Sequence, residues 1–298
     1  MPIEVSLKLT IEFPQPVTVG VLQTGGWLPI QFTGASLILV DRCVAIAARD
    51  LAGNPDRTDM EPERWWLNAL NTPRFALNAI LCAAEGWTAT APTYDAFCAE
   101  LMNASASLAE HFPNARIVRH DPQTFAALYE LFSAARERQT PEKSFLAAVA
   151  PLLVNRVAAN RTRRVERQIL EIARSNSLQL HSFVVLAALS CLYEPQRGEH
   201  PRVGRGVLKL TPGYTKEQMH NPLADIWALE YLAMSSGLPG PTVGLCTRDK
   251  ALAAFWTYLG VSGASWQGTA VSAKFVPQSE LFPRLPASEV RELLLRLQ

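Results

Sequence analysis

The sequence predicts an α/β fold around a central, mostly parallel sheet. Two continuous apolar segments, 36–40 and 242–246, have the composition of strands that are buried on both faces of such a sheet. Segments with helical periodicity separate them, and strands that alternate with helices are typical of this class. We expect helices at about 62–86, 93–111, 122–138, 142–175, 182–194 and 222–235, a last helix from Ser288, and weaker strands at 115–118 and 207–210.

The N-terminal segment predicts a β-hairpin that lies on one edge of the sheet. Apolar and polar residues alternate from Ile3 to Phe13, the alternation stops at Pro14 and Pro16, and it resumes over 17–21. We therefore expect residues 1–35 to form a hairpin extension. We expect residues 36–298 to form one enlarged domain, with a large helical insertion at about 60–180 and a loop over 195–222.

Composition excludes several broad classes of protein. The chain has 298 residues, 28 basic and 27 acidic side chains, and 48% hydrophobic residues, which excludes global disorder and a uniformly basic nucleic-acid binder. The five cysteines are widely spaced within apolar surroundings, as expected for free thiols in a reducing compartment. The longest apolar segments are too short to cross a membrane, and the N-terminus lacks the pattern of a signal peptide. We expect a cytoplasmic protein without membrane contact.

Common nucleotide-binding and hydrolase motifs do not occur in the sequence. There is no Gly-x-Gly-x-x-Gly or Gly-Lys-Ser/Thr loop, and no Gly-x-Ser-x-Gly elbow. The glycine pairs Gly25-Gly26 and Gly204-Arg-Gly206 are not followed by the helix that a phosphate-binding loop requires. The chemistry must therefore lie in another set of residues.

Three aspartates stand where the predicted strands and a helix bring the chain to one edge of the sheet. Asp41 and Asp249 follow the two apolar strands, and Asp225 begins a predicted helix 24 residues before Asp249. Ligands of open α/β sheets bind at the carboxyl ends of the strands. Converging carboxylates suit hard divalent cations, which activate water for phosphodiester hydrolysis. Helix capping is the alternative explanation for each of these residues.

The segments around these aspartates resemble the PIN domain of metal-dependent ribonucleases. The resemblance covers about 36–45 and 220–262, and it is most specific at Thr247 and Asp249, in a strand end of the form Thr-x-Asp-x-x-Leu. It implies a PIN-like three-layer fold. It also implies that Asp41, Asp225 and Asp249 hold Mg²⁺ or Mn²⁺, and that Thr247 forms hydrogen bonds within the site.

The resemblance further implies a fourth acid, a Glu on an early helix, and an endoribonuclease activity that leaves 3′-hydroxyl and 5′-phosphate ends. Glu194 is the best candidate for this acid, and Glu100 and Glu171 are the alternatives. The expected partners are RNA, single-stranded or structured, as substrate, and an inhibitor or partner protein.

One concentrated basic segment lies in the helical middle of the chain. Its arginines predict contact with an RNA backbone, because clustered guanidinium groups neutralise phosphates well. A solvated helix face is the alternative. The residues concerned are Arg156, Arg163, Arg164 and Arg167.

Two other functions stay open at this point. The first is a catalytically inactive PIN-like module that binds nucleic acid or protein. The second is a helical interaction protein whose aspartates are helix caps, and it predicts that Asp41 and Asp249 lie far apart.

Overall fold

The computed structural model describes residues 12–54, 56–86, 90–195, 202–215, 217–267 and 270–297. At its centre is a six-stranded sheet with the spatial order β2-β1-β6-β3-β4-β5, and a separate two-stranded sheet pairs β7 with β8. The strands are β1 (Gly20–Gln23), β2 (Gly26–Pro29), β3 (Leu37–Val40), β4 (Ala76–Asn78), β5 (Arg116–Ile117), β6 (Val243–Thr247), β7 (Val261–Gln267) and β8 (Ala270–Phe275).

Helices connect the strands and account for most of the chain between β3 and β6. They are α1 (Arg42–Gly53), α2 (Glu61–Asn68), α3 (Ile80–Glu85), α4 (Tyr94–His111), α5 (Pro122–Leu153), α6 (Thr162–Ser175), α7 (Phe183–Leu192), α8 (Val203–Leu208), α9 (His220–Ser235), α10 (Lys250–Leu259) and α11 (Ala287–Arg296). Every residue of α7 is buried, as its uniformly apolar sequence requires. Among the described helices, none combines the length and the apolar character needed to cross a membrane.

The predicted α/β class and the mostly parallel sheet are confirmed. Strand β3 is parallel to both β4 and β6, and β4 is parallel to β5, whereas β1 runs antiparallel to β6. The two apolar segments therefore form adjacent central strands. Because β3 and β6 are parallel, their carboxyl ends meet at one edge of the sheet, and the chain leaves both at that edge.

A β-hairpin lies on one edge of the sheet, and its two strands are not the two that the sequence pattern paired. Strand β1 lies in the second part of the alternating segment, and Gly25, with φ of +92°, turns the chain into β2, which the pattern did not predict. The first predicted strand, Ile3 to Phe13, lies almost wholly outside the described residues. The observed hairpin extends the sheet through pairing of β1 with β6.

Some predicted elements were wrong. The segment 62–86 is not one helix but contains α2, β4 and α3, because a three-residue strand is too short to show a period of two. Helix α5 continues through residues 139–141, and the chain breaks instead between 153 and 162. The segment 207–210 belongs partly to helix α8 rather than to a strand.

Candidate acidic centre

Asp41 and Asp249 begin the helices that follow the two central strands. Asp41 is the N-cap of α1, and Asp249 is the N-cap of α10, where its Oδ1 accepts hydrogen bonds from the backbone N–H groups of Ala251 and Leu252 at 2.8 and 2.9 Å. The Asp41 N–H donates to the Cys246 carbonyl at 3.0 Å, which ties the two strand ends together. Both carboxylates therefore lie at the same edge of the sheet.

Thr247 joins these two aspartates directly. Its hydroxyl donates to Oδ2 of Asp41 at 2.5 Å and accepts from the backbone N–H of Asp249 at 3.0 Å. The residue is buried, with 2% of its surface exposed, so these hydrogen bonds are shielded from water. The expectation that Asp41 and Asp249 lie far apart, which followed from the helix-cap interpretation, is therefore wrong, although Asp249 does cap α10.

Asp225 is brought to the same place by helix α9 and faces a lysine. It lies in the second turn of α9 rather than at the start of the helix. The ammonium group of Lys209 is 2.7 Å from Oδ2 of Asp225 and 3.8 Å from Oδ2 of Asp249. Two of the predicted carboxylates thus converge on one ammonium group.

The electrostatics of this cluster reflect buried negative charge. Burial raises the pKa of Asp225 to about 8, the Lys209 ammonium opposes that rise, and the charges of Asp41 and Asp249 add to it. Burial lowers the pKa of Lys209, but the three aspartates outweigh it and the net pKa is raised. The Asp41 charge therefore acts on both partners, and Lys209 is held in its charged form.

Glu85 is an acidic residue near this cluster that the sequence analysis did not single out. It ends α3 and lines one small pocket together with Asp41 and Asp225. Burial raises its pKa, while Arg42, 3.4 Å away, and Lys209 lower it. No local pattern marks this residue, because the strand before α3, β4, has only three residues and shows no period of two. Helix α3 reaches the centre because it leaves the same edge of the sheet as α1 and α10.

The candidates for the fourth acid are engaged elsewhere. Glu194 lies beyond the end of α7, where its two carboxylate oxygens accept from Arg205 at 2.9 and 3.0 Å. Arg205 also donates to the Leu153 and Val154 carbonyls, so this pair secures the end of α5. A buried carboxylate needs such a partner, and we therefore assign Glu194 a structural role. Glu100 is buried 3.5 Å from Arg42, and Glu171 is exposed on α6.

Two glycines of α8 place Lys209 at the centre. A Cβ atom on Gly204 would lie 2.4 Å from the Ala187 carbonyl oxygen, and a Cβ atom on Gly206 would lie 2.4 Å from Cβ of Ala251. Helix α8 can therefore pack closely against α7 and α10 at once. Lys209 follows α8 in a left-handed conformation with φ of +50°. The glycine pair without a phosphate-loop context thus serves helix packing.

Carboxylate oxygens are the ligands that hard divalent cations prefer, but in this structure the Lys209 ammonium group lies between two of these carboxylates. Over the part of the chain that the structure describes, no group of three or more Asp, Glu, His or Cys side chains has an arrangement that could hold a metal ion. The Lys209 ammonium lies between Asp225 and Asp249. Among the described residues, hydrogen bonds to these carboxylates use Oδ2 of Asp41 and Oδ1 of Asp249, and Oδ2 of Asp249 faces the Lys209 ammonium at 3.8 Å, where a divalent ion would have to replace that ammonium.

The arginine-rich segment belongs to a different part of the molecule. Helix α6 packs principally against α7 and α5. Arg163 forms ion pairs with Glu166 at 3.1 Å and with Glu289, and Arg156 donates to the Pro195 carbonyl at 3.3 Å. Arg164 and Arg167 are exposed on α6. The first two arginines therefore have structural partners, and the last two face solvent.

No family model matches this chain, and neither the curated proteins nor the solved structures contain a match to it.

Proposed function

We propose that this protein is a PIN-like, metal-dependent endoribonuclease whose centre is formed by Asp41, Asp225 and Asp249. The observation that supports the proposal is that Asp225 and Asp249, from separate elements, converge on the Lys209 ammonium group, and that Asp41 lies at the same carboxyl edge of β3 and β6, where its charge also raises the pKa of that group. Helix caps alone would not require Asp225, which lies inside α9, to face the other two. The site needs positive charge, and a divalent ion can supply it.

Under this proposal the ligands of Mg²⁺ or Mn²⁺ are Asp41, Asp225 and Asp249, and Glu85 replaces Glu194 as the fourth acid. A bound divalent ion lowers the pKa of a coordinated water and stabilises charge on a phosphate. Thr247 positions Asp41 through its 2.5 Å hydrogen bond and fixes the backbone at Asp249. Lys209 offers its ammonium group to the phosphate when it leaves Asp225. RNA is proposed over DNA on the sequence resemblance.

A paired measurement of metal binding and cleavage tests this function. Mn²⁺ binding is followed by electron paramagnetic resonance, and cleavage is followed on end-labelled single-stranded RNA with Mn²⁺. Asp249→Asn and Asp225→Asn are expected to lose both properties. Asp50→Asn, on the exposed face of α1 with 41% of its side chain accessible, is the matched control and retains both. Cleavage that persists in both centre variants would refute the proposal.

A second candidate function is a nucleic-acid-binding module without catalysis. The observation that favours it is the position of Lys209, because an ammonium group 2.7 Å from Asp225 can replace the divalent ion permanently. Such a module keeps a neutralised acidic edge and binds RNA without hydrolysing it.

Lys209→Met separates the two candidates, with Lys274→Met, an exposed lysine on β8, as the control. If the protein is a nuclease, the wild type binds Mn²⁺ and cleaves. If it is a binding module, the wild type neither binds Mn²⁺ nor cleaves, and Lys209→Met gains Mn²⁺ binding because the competing ammonium is gone. Lys274→Met should resemble the wild type in both cases.

A further inference from the structure

A cleft lies beside the acidic centre, between the β1–β2 hairpin and helix α10. Its volume is about 290 Å³, close to the lower end of the range for small-molecule sites. Thr247 and Asp249 line this cleft as well as the acidic centre, and Gly20 on its floor is the register partner of Thr247. A molecule that fills the cleft therefore lies next to the carboxylates.

Flat apolar surfaces form the walls. The Trp27 indole lies against Gly20, where a Cβ atom would be only 1.9 Å from its Nε1, so a glycine is required there. The opposite wall is the partly exposed face of α10, with Ala253 and Ala254 at its centre and Tyr258 at one end. Small residues between two aromatic side chains leave space for one planar ring system.

Helix α10 is held rigidly against the hairpin, so the cleft is formed before any ligand binds. Trp256 on the buried side of α10 donates from Nε1 to the Gln23 carbonyl at 2.8 Å, and the Gly25 N–H donates to the Val261 carbonyl at 3.0 Å. The hydroxyl of Thr257 is used as a donor to the Ala253 carbonyl at 2.9 Å, which leaves its lone pairs as acceptors at the cleft.

Polar and basic groups surround the apolar walls. The Thr18 hydroxyl is buried and has no hydrogen-bond partner among the described residues. Lys250 is exposed at the first position of α10, and Arg248 lies beside it, 2.9 Å from Glu63. A planar ring with hydrogen-bonding edges suits the unpartnered hydroxyl, and a negatively charged phosphate group attached to that ring suits the basic side chains.

We infer that this cleft binds an unpaired nucleobase of a single-stranded RNA whose adjacent phosphate lies at the acidic centre. The inference rests on the proposed function for its ligand class and adds the mode of recognition. Trp27 provides the stacking surface, Thr18 and Thr257 face the base edges, and Lys250 neutralises the backbone. A base within a duplex cannot enter, so the cleft selects single strands.

Binding is measured by fluorescence anisotropy of a short fluorescein-labelled RNA, in EDTA so that cleavage cannot contribute. Ala253→Leu fills the cleft, and Trp27→Ala removes the stacking surface, and each is expected to weaken binding by about tenfold. Trp27→Phe keeps an aromatic ring and should stay within about threefold of the wild type. Ala45→Leu, in a separate pocket on α1, is the matched control. The same RNA in a duplex should bind more weakly.

Unchanged binding in both Ala253→Leu and Trp27→Ala would overturn the inference, as would equal affinity for the duplex. Thermal unfolding of each variant shows whether it is folded, and Ala253→Leu tests the cleft without removing a buried ring. Failure of the nuclease proposal has a different signature, because it concerns Mn²⁺ binding and cleavage, whereas this measurement contains no metal.

Discussion

The Thr247 hydroxyl donates to Oδ2 of Asp41 at 2.5 Å and thereby connects the ends of the two central strands. The same oxygen accepts from the Asp249 N–H at 3.0 Å, so one side chain sets the spacing of two acids. Thr247→Val, which keeps the shape and removes the hydroxyl, should lower the free energy of unfolding by about 1–3 kcal/mol, measured by urea denaturation.

The same variant should weaken Mn²⁺ binding about tenfold, because groups that orient metal ligands have effects of this size. Thr247→Ser keeps the hydroxyl and should retain most of the affinity. Retained Mn²⁺ affinity in Thr247→Val together with a loss in Thr247→Ser would show that the methyl group and its packing matter, and not the hydrogen bond.

Close packing of α8 on α10 is expected to control both stability and the position of Lys209. Gly206→Ala places a methyl group 2.4 Å from Cβ of Ala251, and overpacking of this kind should cost about 1–3 kcal/mol. The second change Ala251→Gly should restore part of the loss, which a double-mutant cycle in urea measures. Gly53→Ala, with open space around it, is the control and should change stability by less than about 1 kcal/mol. If the stability changes of Gly206→Ala and Ala251→Gly simply add in the double variant, the contact between these two positions is not the cause of the loss.

Substitutions of Glu194 and Glu85 are expected to have opposite effects, the first on stability and the second on Mn²⁺ binding. Glu194→Gln leaves Arg205 without its carboxylate and should cost on the order of 3 kcal/mol of stability, with little effect on Mn²⁺ affinity. Glu85→Gln should weaken Mn²⁺ binding by at least about tenfold. Calorimetric titration with Mn²⁺ and urea denaturation of both variants decide this. If Glu194→Gln weakened Mn²⁺ binding and Glu85→Gln affected only stability, Glu194 and not Glu85 would be the acid that contributes to the metal site.

Stability of the metal-free protein should depend on pH through Asp225. Its pKa rises from 3.8 to about 8 on folding, mainly through burial, so the folded state binds this proton more tightly than the unfolded state. The corresponding stability is fully present below pH 3.8 and is lost as the pH rises through about 8.

Asp225→Asn should therefore become more stable relative to the wild type between pH 5 and pH 9, by on the order of a few kcal/mol. Urea denaturation in EDTA across this range provides the measurement, with Asp50→Asn as an exposed control. A stability difference that does not change with pH would contradict the raised pKa of Asp225.

The amino-acid sequence by itself determined the class of fold and the positions of two aspartates at the sheet edge. The segments that became β3 and β6 are short, almost wholly apolar and followed at once by polar residues, which is typical of strands buried on both faces of a parallel sheet, and Asp41 and Asp249 were therefore expected at the edge of that sheet. Their connection through Thr247 depended on the parallel pairing of those strands.

Only the tertiary structure placed Lys209 and Glu85 beside these aspartates. Lys209 and Glu85 reach the centre because α8 packs on α10 through Gly206 and because the short strand β4 directs α3 to the sheet edge. Neither placement has a local signal: a lysine after a six-residue helix and a strand of three residues show no period in the sequence. The charge balance of a buried site depends on groups far apart in the chain, which packing alone brings together.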